Sequence, residues 1–134
     1  MVVVDTNVLA YLLIDGDHTA KAQQLYRQDA EWTSETFVFV EFSNILATYE
    51  RLGELAPDEA DRLLIEAEAR VHQAANVPAM AALHFARRYS VSAYDARFLA
   101  AAETLGGKLV TEDAKLRNAA PDLTRSLADA VSYH

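Results

Sequence analysis

Four acidic residues lie within or next to apolar stretches of the sequence, where charged side chains are unusual. Asp5 ends the apolar run of residues 1–4, and Asp113 closes the strand-like stretch "KLVTED". Glu41 interrupts the apolar stretch "FVFVEFSNIL", and Asp95 lies in "SAYDARFLAAAETL". Carboxylates that cluster raise one another's pKa values, so they persist as anions only when a cation lies among them. If the fold brings these four together, the chemistry they indicate is the binding of a hard divalent cation.

Each acid also has a purely structural explanation, and the pattern alone leaves that alternative open. A carboxylate near the start of a helix, such as Asp5 or Asp95, can accept hydrogen bonds from free backbone N–H groups. Glu41 can be an exposed acid on the solvent side of its helix. Glu112 is adjacent to Asp113 and competes with it as a ligand.

The type of cation follows from the ligands that the chain offers. The chain has no cysteine, and its four histidines are scattered. The ligands would therefore be oxygens, which favours Mg²⁺ or Mn²⁺ over zinc.

The distribution of charge along the chain bears on the type of substrate. The formal net charge of −8 weakens a nucleic-acid interpretation. Residues 71–134, however, carry seven Lys or Arg against six Asp or Glu. Acid-bound cations beside this more basic half suggest hydrolysis of phosphodiesters, in which the metal lowers the pKa of a water and offsets charge at the phosphate.

Short strands alternating with helices must position these acids. The β-branched and apolar runs predict strands at "MVVVD", "EWTS", "VHQAA", "KLVT" and "SLADAV", and seven helical stretches fill the intervals. This alternation predicts a three-layer α/β/α domain with a parallel sheet. The carboxyl ends of parallel strands lie at one edge of a sheet, so Asp5 and Asp113 are expected to meet there. The start of the helix carrying Asp95 points to the same edge.

Length and composition set the broad class. The 134 residues, of which 51% are hydrophobic, suit a single domain spanning 1–134. The start of the chain lacks a signal-peptide pattern and no apolar run reaches membrane-spanning length, so we expect a cytoplasmic protein. We expect Phe37 and Val40 to belong to the core.

Three stretches in this order resemble those of PIN-domain ribonucleases. They are "VVDTNVLAYLL", the helical Glu41 and "SAYDARFLAAAETLGGKLVTEDAKL". More narrowly, the chain resembles the short VapC-type toxins of type II toxin–antitoxin systems, over nearly its whole length. The resemblance implies a PIN-like fold with a short, mostly parallel five-stranded sheet. It also implies a Mg²⁺- or Mn²⁺-dependent endoribonuclease held silent by a cognate antitoxin.

The resemblance also assigns roles to individual residues. It makes Asp113 preferable to Glu112, and it points to Asp5 and Asp95 as direct metal ligands. The implied partners are an RNA substrate, the antitoxin and a second copy of the chain, with no membrane. The catalytic and metal-binding acids would be Asp5, Glu41, Asp95 and Asp113, with Asn7 and Thr111 as supporting hydrogen-bonding residues.

Other functions fit less well. Aspartyl-phosphate phosphatases need a second acid two residues after the nucleophile, where this chain has Asn7. Phosphoacceptor receiver domains need a lysine at a late strand end, whereas Lys108 begins its strand. A PIN-domain nuclease with a processing role and a non-catalytic PIN-fold binding module remain as alternatives. The small size favours the toxin.

Overall fold

The computed structural model describes residues 1–132, and the last two residues of the predicted domain, Tyr133 and His134, lie outside the described residues. The strands are β1 (Val2–Val4), β2 (Trp32–Thr33), β3 (Leu109–Val110) and β4 (Thr124–Arg125). The helices are α1 (Thr6–Leu13), α2 (Thr19–Gln28), α3 (Phe37–Arg51), α4 (Pro57–Arg70), α5 (Ala79–Tyr89), α6 (Ala93–Leu105), α7 (Ala114–Ala119) and α8 (Leu127–Ser132). The helices predicted at α1 to α7 are confirmed.

The sheet is parallel throughout, with the strand order β2-β1-β3-β4. Val3 of β1 pairs with Thr33 on one side and Leu109 on the other. All three residues of β1 are at most 1% exposed, as expected for a parallel strand whose two faces are both covered by helices. The chain leaves β1 toward β2 and later returns to the other side of β1 with β3. The strand order therefore reverses between β1 and β3, the kind of position at which open α/β sheets place their sites.

The helices pack in two groups around this sheet. Helix α6 contacts β1 and β3, and it packs along α5. In the second group α1 contacts α2, α3 and α4, and α8 lies against α2. Within residues 1–132, no helix combines the length and apolarity needed to cross a membrane.

The sheet has four strands in residues 1–132, so the prediction of five was wrong. The stretch "VHQAA" makes only isolated parallel bridges, between Trp32 and Val71 and between Glu35 and Ala75. Between these bridges Gln73 has a φ of +50°, in the left-handed region. That conformation interrupts an extended ladder, because side chains other than glycine tolerate it poorly in a strand.

The predicted strand at "SLADAV" is also wrong, because this segment forms α8. The strand lies just before it: the N–H of Leu109 donates to the carbonyl of Leu123, and the N–H of Thr111 donates to that of Arg125. Ser126 then ends the strand, since its hydroxyl accepts a hydrogen bond from the N–H of Asp129 at 3.1 Å. Serine is a favoured residue at the start of a helix for this reason.

Candidate active site

The four acids singled out from the sequence line one cleft of about 490 Å³. They come from four separate segments of the chain: the β1–α1 junction, α3, α6 and the β3–α7 junction. The cleft therefore lies where the strand order reverses. Its other lining residues are Thr6, Asn7, Phe37, Val40, Asn44, Ile45, Tyr94, Phe98 and Leu116.

Asp5 is both a helix cap and a cleft residue. Its carboxylate accepts a hydrogen bond from the N–H of Val8 at 3.0 Å, at the start of α1. Burial and, to a smaller extent, the charges of Glu41 and Asp95 raise the pKa of Asp5 to about 6, against the lowering effect of the hydrogen bonds from Thr111 and Val8. The metal-free cleft therefore holds more negative charge than its surroundings stabilise.

Glu41 is partly buried, so it is not the exposed surface acid that the sequence allowed. Its Oε1 accepts a hydrogen bond from the hydroxyl of Thr6 at 2.6 Å. Thr6 directly follows Asp5 in the chain. This contact holds the Glu41 side chain, which comes from α3, beside Asp5 at the end of β1.

Asp95 and Asp113 both line the cleft from the starts of two helices, near enough for their charges to interact. The N–H of Asp95 donates to the hydroxyl of Ser92 at 3.0 Å. Burial raises the pKa of Asp95, and the charge of Asp113 adds to this, while a hydrogen bond from Ser92 opposes it. Asp113 accepts hydrogen bonds from the N–H groups of Lys115 and Leu116 at 2.9 and 3.2 Å. Asp113 caps α7, Asp95 lies in the first turn of α6 after its cap Ser92, and both acids line the cleft.

Glu112 has a different role from its neighbour. Its Oε1 accepts a hydrogen bond from the N–H of Leu127 at 2.8 Å, and its Oε2 lies 3.6 Å from Arg117. It is absent from the lining of the cleft, which Asp113 joins. Asp113 thus lies with the other acids, whereas Glu112 attaches the start of α8 to the end of β3.

The two residues expected to support the acids lie beside them. Thr111 is buried; its side chain hydrogen-bonds Asp5, and its hydroxyl accepts from the N–H of Asp113 at 3.1 Å. Thr111 therefore links two of the acids. Asn7 is exposed and lines the cleft.

The cleft fits a hard divalent cation in its chemistry. The available donors are carboxylate, hydroxyl and amide oxygens, which suit Mg²⁺ or Mn²⁺ rather than zinc. As they stand, no three Asp, Glu or His side chains within residues 1–132 form a ready metal-binding group. The four carboxylates are instead held by N–H or hydroxyl donors, and each carboxylate retains further lone pairs. Binding a cation therefore requires these side chains to turn toward one another.

One buried acid, Glu35, was missed by the sequence analysis. It is 0% exposed, accepts hydrogen bonds from the N–H groups of Phe37 and Val77 at 2.6 and 2.7 Å, and lies 3.4 Å from Nε of Arg97. It does not line the cleft. Instead it ties the start of α3 to α6. The signal was present, because Glu35 follows β2 in the way that Asp5 follows β1.

The expectation that Val40 belongs to the core was wrong, whereas Phe37 is partly buried and packs against the core. Both line the cleft, and Val40 is 58% exposed. The core side of α3 is formed by Val38, Phe42 and Leu46. The reason is that α3 packs on its neighbours through one face only, so apolar residues on its other face border the cleft.

Comparison with known proteins agrees with this architecture. The PIN domain family model matches residues 2–121, which include all four acids. Ribonuclease VapC3 of Pyrobaculum aerophilum is 32% identical over 126 residues, covering 90% of this chain and 95% of that protein. The crystal structure of PAE2754 from the same organism shares the fold, with a TM-score of 0.78, 21% identity, and coverage of 97% of this chain and 91% of that one. The chain belongs to the PIN-domain family.

Proposed function

We propose that this protein is a Mg²⁺- or Mn²⁺-dependent endoribonuclease, and that it is the toxin of a toxin–antitoxin pair. The observation that carries the proposal is the convergence of four carboxylates, from four segments of the chain, on one cleft. Similarity to a ribonuclease over 90% of the chain supports RNA as the substrate.

The acids would divide the work of holding the metal. Asp5 and Asp95 are the proposed direct ligands, and Glu41 and Asp113 complete the set. A divalent cation bound there lowers the pKa of a water and offsets negative charge at the scissile phosphate. No protein general base is then required.

The surrounding polar residues keep the acids in place. The hydroxyl of Thr6 orients Glu41, and the side chain of Thr111 orients Asp5. Asn7 lines the cleft from an exposed position, where its amide is free to donate a hydrogen bond to a phosphate oxygen. Because these contacts already hold the carboxylates close to one another, the side chains need to move only a little to share a cation.

The same cleft suggests how an antitoxin would act. A cluster of carboxylates attracts a basic side chain, and an arginine can form two parallel hydrogen bonds to such a group. An arginine from the partner would then compete with the metal. The exposed Leu52 and Ile65, 65% and 68% accessible, offer apolar surface for the partner or for a second copy in a cytoplasmic homodimer.

The test is cleavage of single-stranded RNA by the purified protein. We expect cleavage with Mg²⁺ or Mn²⁺, poor cleavage with Ca²⁺ and none in excess EDTA, because Ca²⁺ has a larger and looser coordination shell. Asp95→Asn should abolish cleavage, whereas Asp129→Asn, an exposed acid outside the cleft, should leave it unchanged. Robust cleavage in excess EDTA would contradict the metal mechanism. A protein that cleaves no RNA with any metal would be the non-catalytic binding module instead.

A further inference from the structure

Two aromatic side chains form one wall of the cleft that holds the acids. The rings of Phe37, the first residue of α3, and Tyr94, the second residue of α6, are stacked with centroids 5.4 Å apart and an interplanar angle of 13°. Both line the cleft, and Tyr94 directly precedes Asp95. The Tyr94 residue is 63% exposed. One face of its ring therefore meets Phe37 and the other is open.

This pair rests on the buried charges described above. The backbone N–H of Phe37 donates to Glu35 at 2.6 Å, and the guanidinium of Arg97 lies 5.7 Å from the centre of the Phe37 ring. Arg97 in turn pairs with Glu35 at 3.4 Å. Since Glu35 is fully buried, the lower ring of the stack is anchored to the interior. Tyr94 is thus presented on a rigid support rather than as a loose surface side chain.

The net charge of the protein favours contacts with RNA that do not depend on charge. A formal charge of −8 does not attract a polyanion, and the acids of the cleft repel phosphates until a cation neutralises them. Nucleobases, in contrast, stack on aromatic side chains without regard to charge, and an unpaired base is free to do so.

We propose that the open face of Tyr94 is a subsite on which one unpaired base of the RNA stacks, next to the phosphate that is cleaved. The inference rests on the proposed function, since it names how that substrate is held. A base in a duplex is already stacked on both faces, so the subsite selects single-stranded RNA. Because Tyr94 directly precedes Asp95 and lines the same cleft, the stacked base would lie beside the acids.

Kinetics of three variants test the subsite. Stacking contributes equally to the ground state and the transition state, so Tyr94→Ala should raise KM about tenfold and leave kcat unchanged. Tyr94→Phe keeps the ring and should behave as the wild type. Met80→Ala is the control, because Met80 is equally exposed, at 64%, but lies on α5 outside the cleft. All of these side chains are exposed, so the fold is retained.

Binding measurements locate the base without relying on cleavage. In a background carrying Asp5→Asn, 2-aminopurine is placed at successive positions of a single-stranded RNA. We expect its fluorescence to be quenched at one position when residue 94 is Tyr or Phe, and not when it is Ala. An abasic nucleotide at that same position should weaken RNA binding by the protein with Tyr94 about tenfold and leave RNA binding by the Tyr94→Ala protein unchanged.

The outcomes separate this inference from the proposed function. If the wild type cleaves RNA but Tyr94→Ala retains both the wild-type KM and the quenching, the subsite is refuted and the nuclease stands. A loss confined to kcat would also refute it, because the ring would then act on the reaction rather than on the base. If the wild type neither binds nor cleaves RNA, the proposed function and the subsite both fail.

Discussion

At the scale of the residue, Asp5 meets two opposing demands. As the cap of α1 it accepts a hydrogen bond from Val8, which stabilises its ionised form. As a partly buried member of an acidic cluster it is shielded from water and lies near the charges of Glu41 and Asp95, which raise its pKa to about 6. The second influence exceeds the first. Folding at neutral pH without a metal therefore places an ionised carboxylate in surroundings that disfavour its charge.

Asp5→Asn should separate the effect on stability from the effect on activity. An unfolded Asp has a pKa of about 3.9, so the folded state binds the proton more tightly and the wild type loses stability as the pH rises from about 4 through about 6. Above pH 6 the metal-free variant should be more stable than the wild type by roughly 2 kcal/mol, with the difference fading below pH 4. It should cleave no RNA.

Urea unfolding at pH 7.5 and pH 4, in EDTA, measures this difference. Asp129→Asn is the matched control, since its carboxyl is exposed and lies outside the cleft. Equal stabilities of the variant and the wild type at both pH values would show that burial does not disfavour the charge of Asp5. Cleavage at the wild-type rate would remove Asp5 from the proposed ligands.

At the scale of the element, the sequence predicted those helices and strands whose formation depends on neighbouring residues in the chain. The valine run of β1 and the caps of the helices need no distant contact to be recognised. Strand β4, in contrast, consists of Thr124 and Arg125, which carry no strand pattern and pair only because β3 lies beside them. The positive φ of Gln73 is likewise invisible in the sequence. Short edge elements depend on their tertiary neighbours, and so they were missed.

The buried link between α3 and α6 should be a large contributor to stability. Glu35→Ala leaves the N–H groups of Phe37 and Val77 without their acceptor and Arg97 without its partner, which should lower the free energy of unfolding by about 3 kcal/mol. The control is Glu66→Ala, which breaks the exposed pair with Arg70 on one helix. That change should cost less than about 0.5 kcal/mol.

Urea denaturation of the two variants decides the comparison. Similar small losses in both would mean that the Glu35 ion pair contributes no more than a surface pair does. A large loss of stability in Glu35→Ala alone would show that the buried Glu35 stabilises the packing of α3 against α6.

At the scale of the whole molecule, the cleft is formed by residues that lie far apart in the chain, and only some of their meetings could be predicted from the sequence. The rule that sites form at the carboxyl ends of parallel strands predicted that Asp5 and Asp113 would meet. No comparable rule identifies Glu41 or the Phe37–Tyr94 wall, because these depend on the angle at which α3 and α6 cross the sheet. Glu41 was a candidate because it interrupts an apolar stretch, and the family resemblance supported it, whereas nothing in the sequence predicted the wall.

Expression in cells tests the toxin proposal. The wild type expressed alone should arrest growth, and Asp95→Ala should not, because it lacks a proposed ligand. Co-expression of the cognate antitoxin should restore growth. In vitro, inhibition by the antitoxin should weaken as Mn²⁺ is titrated upward, since the two compete for the same carboxylates. A wild type that is harmless in cells, or an antitoxin whose inhibition is insensitive to Mn²⁺, would contradict this account.

The parallel pairing of β1 with β3 has a consequence for how the protein is made. Val4 pairs with Val110, so two strands separated by most of the chain must both have left the ribosome before the edge of the sheet closes. A nascent chain that ends before β3 has Asp5, Glu41 and Asp95 but lacks Asp113 and its strand. Synthesis thus delays assembly of the cleft until nearly the whole chain is present. For the nuclease proposed above, this order of translation would keep the nascent chain from cleaving RNA while it is still being made.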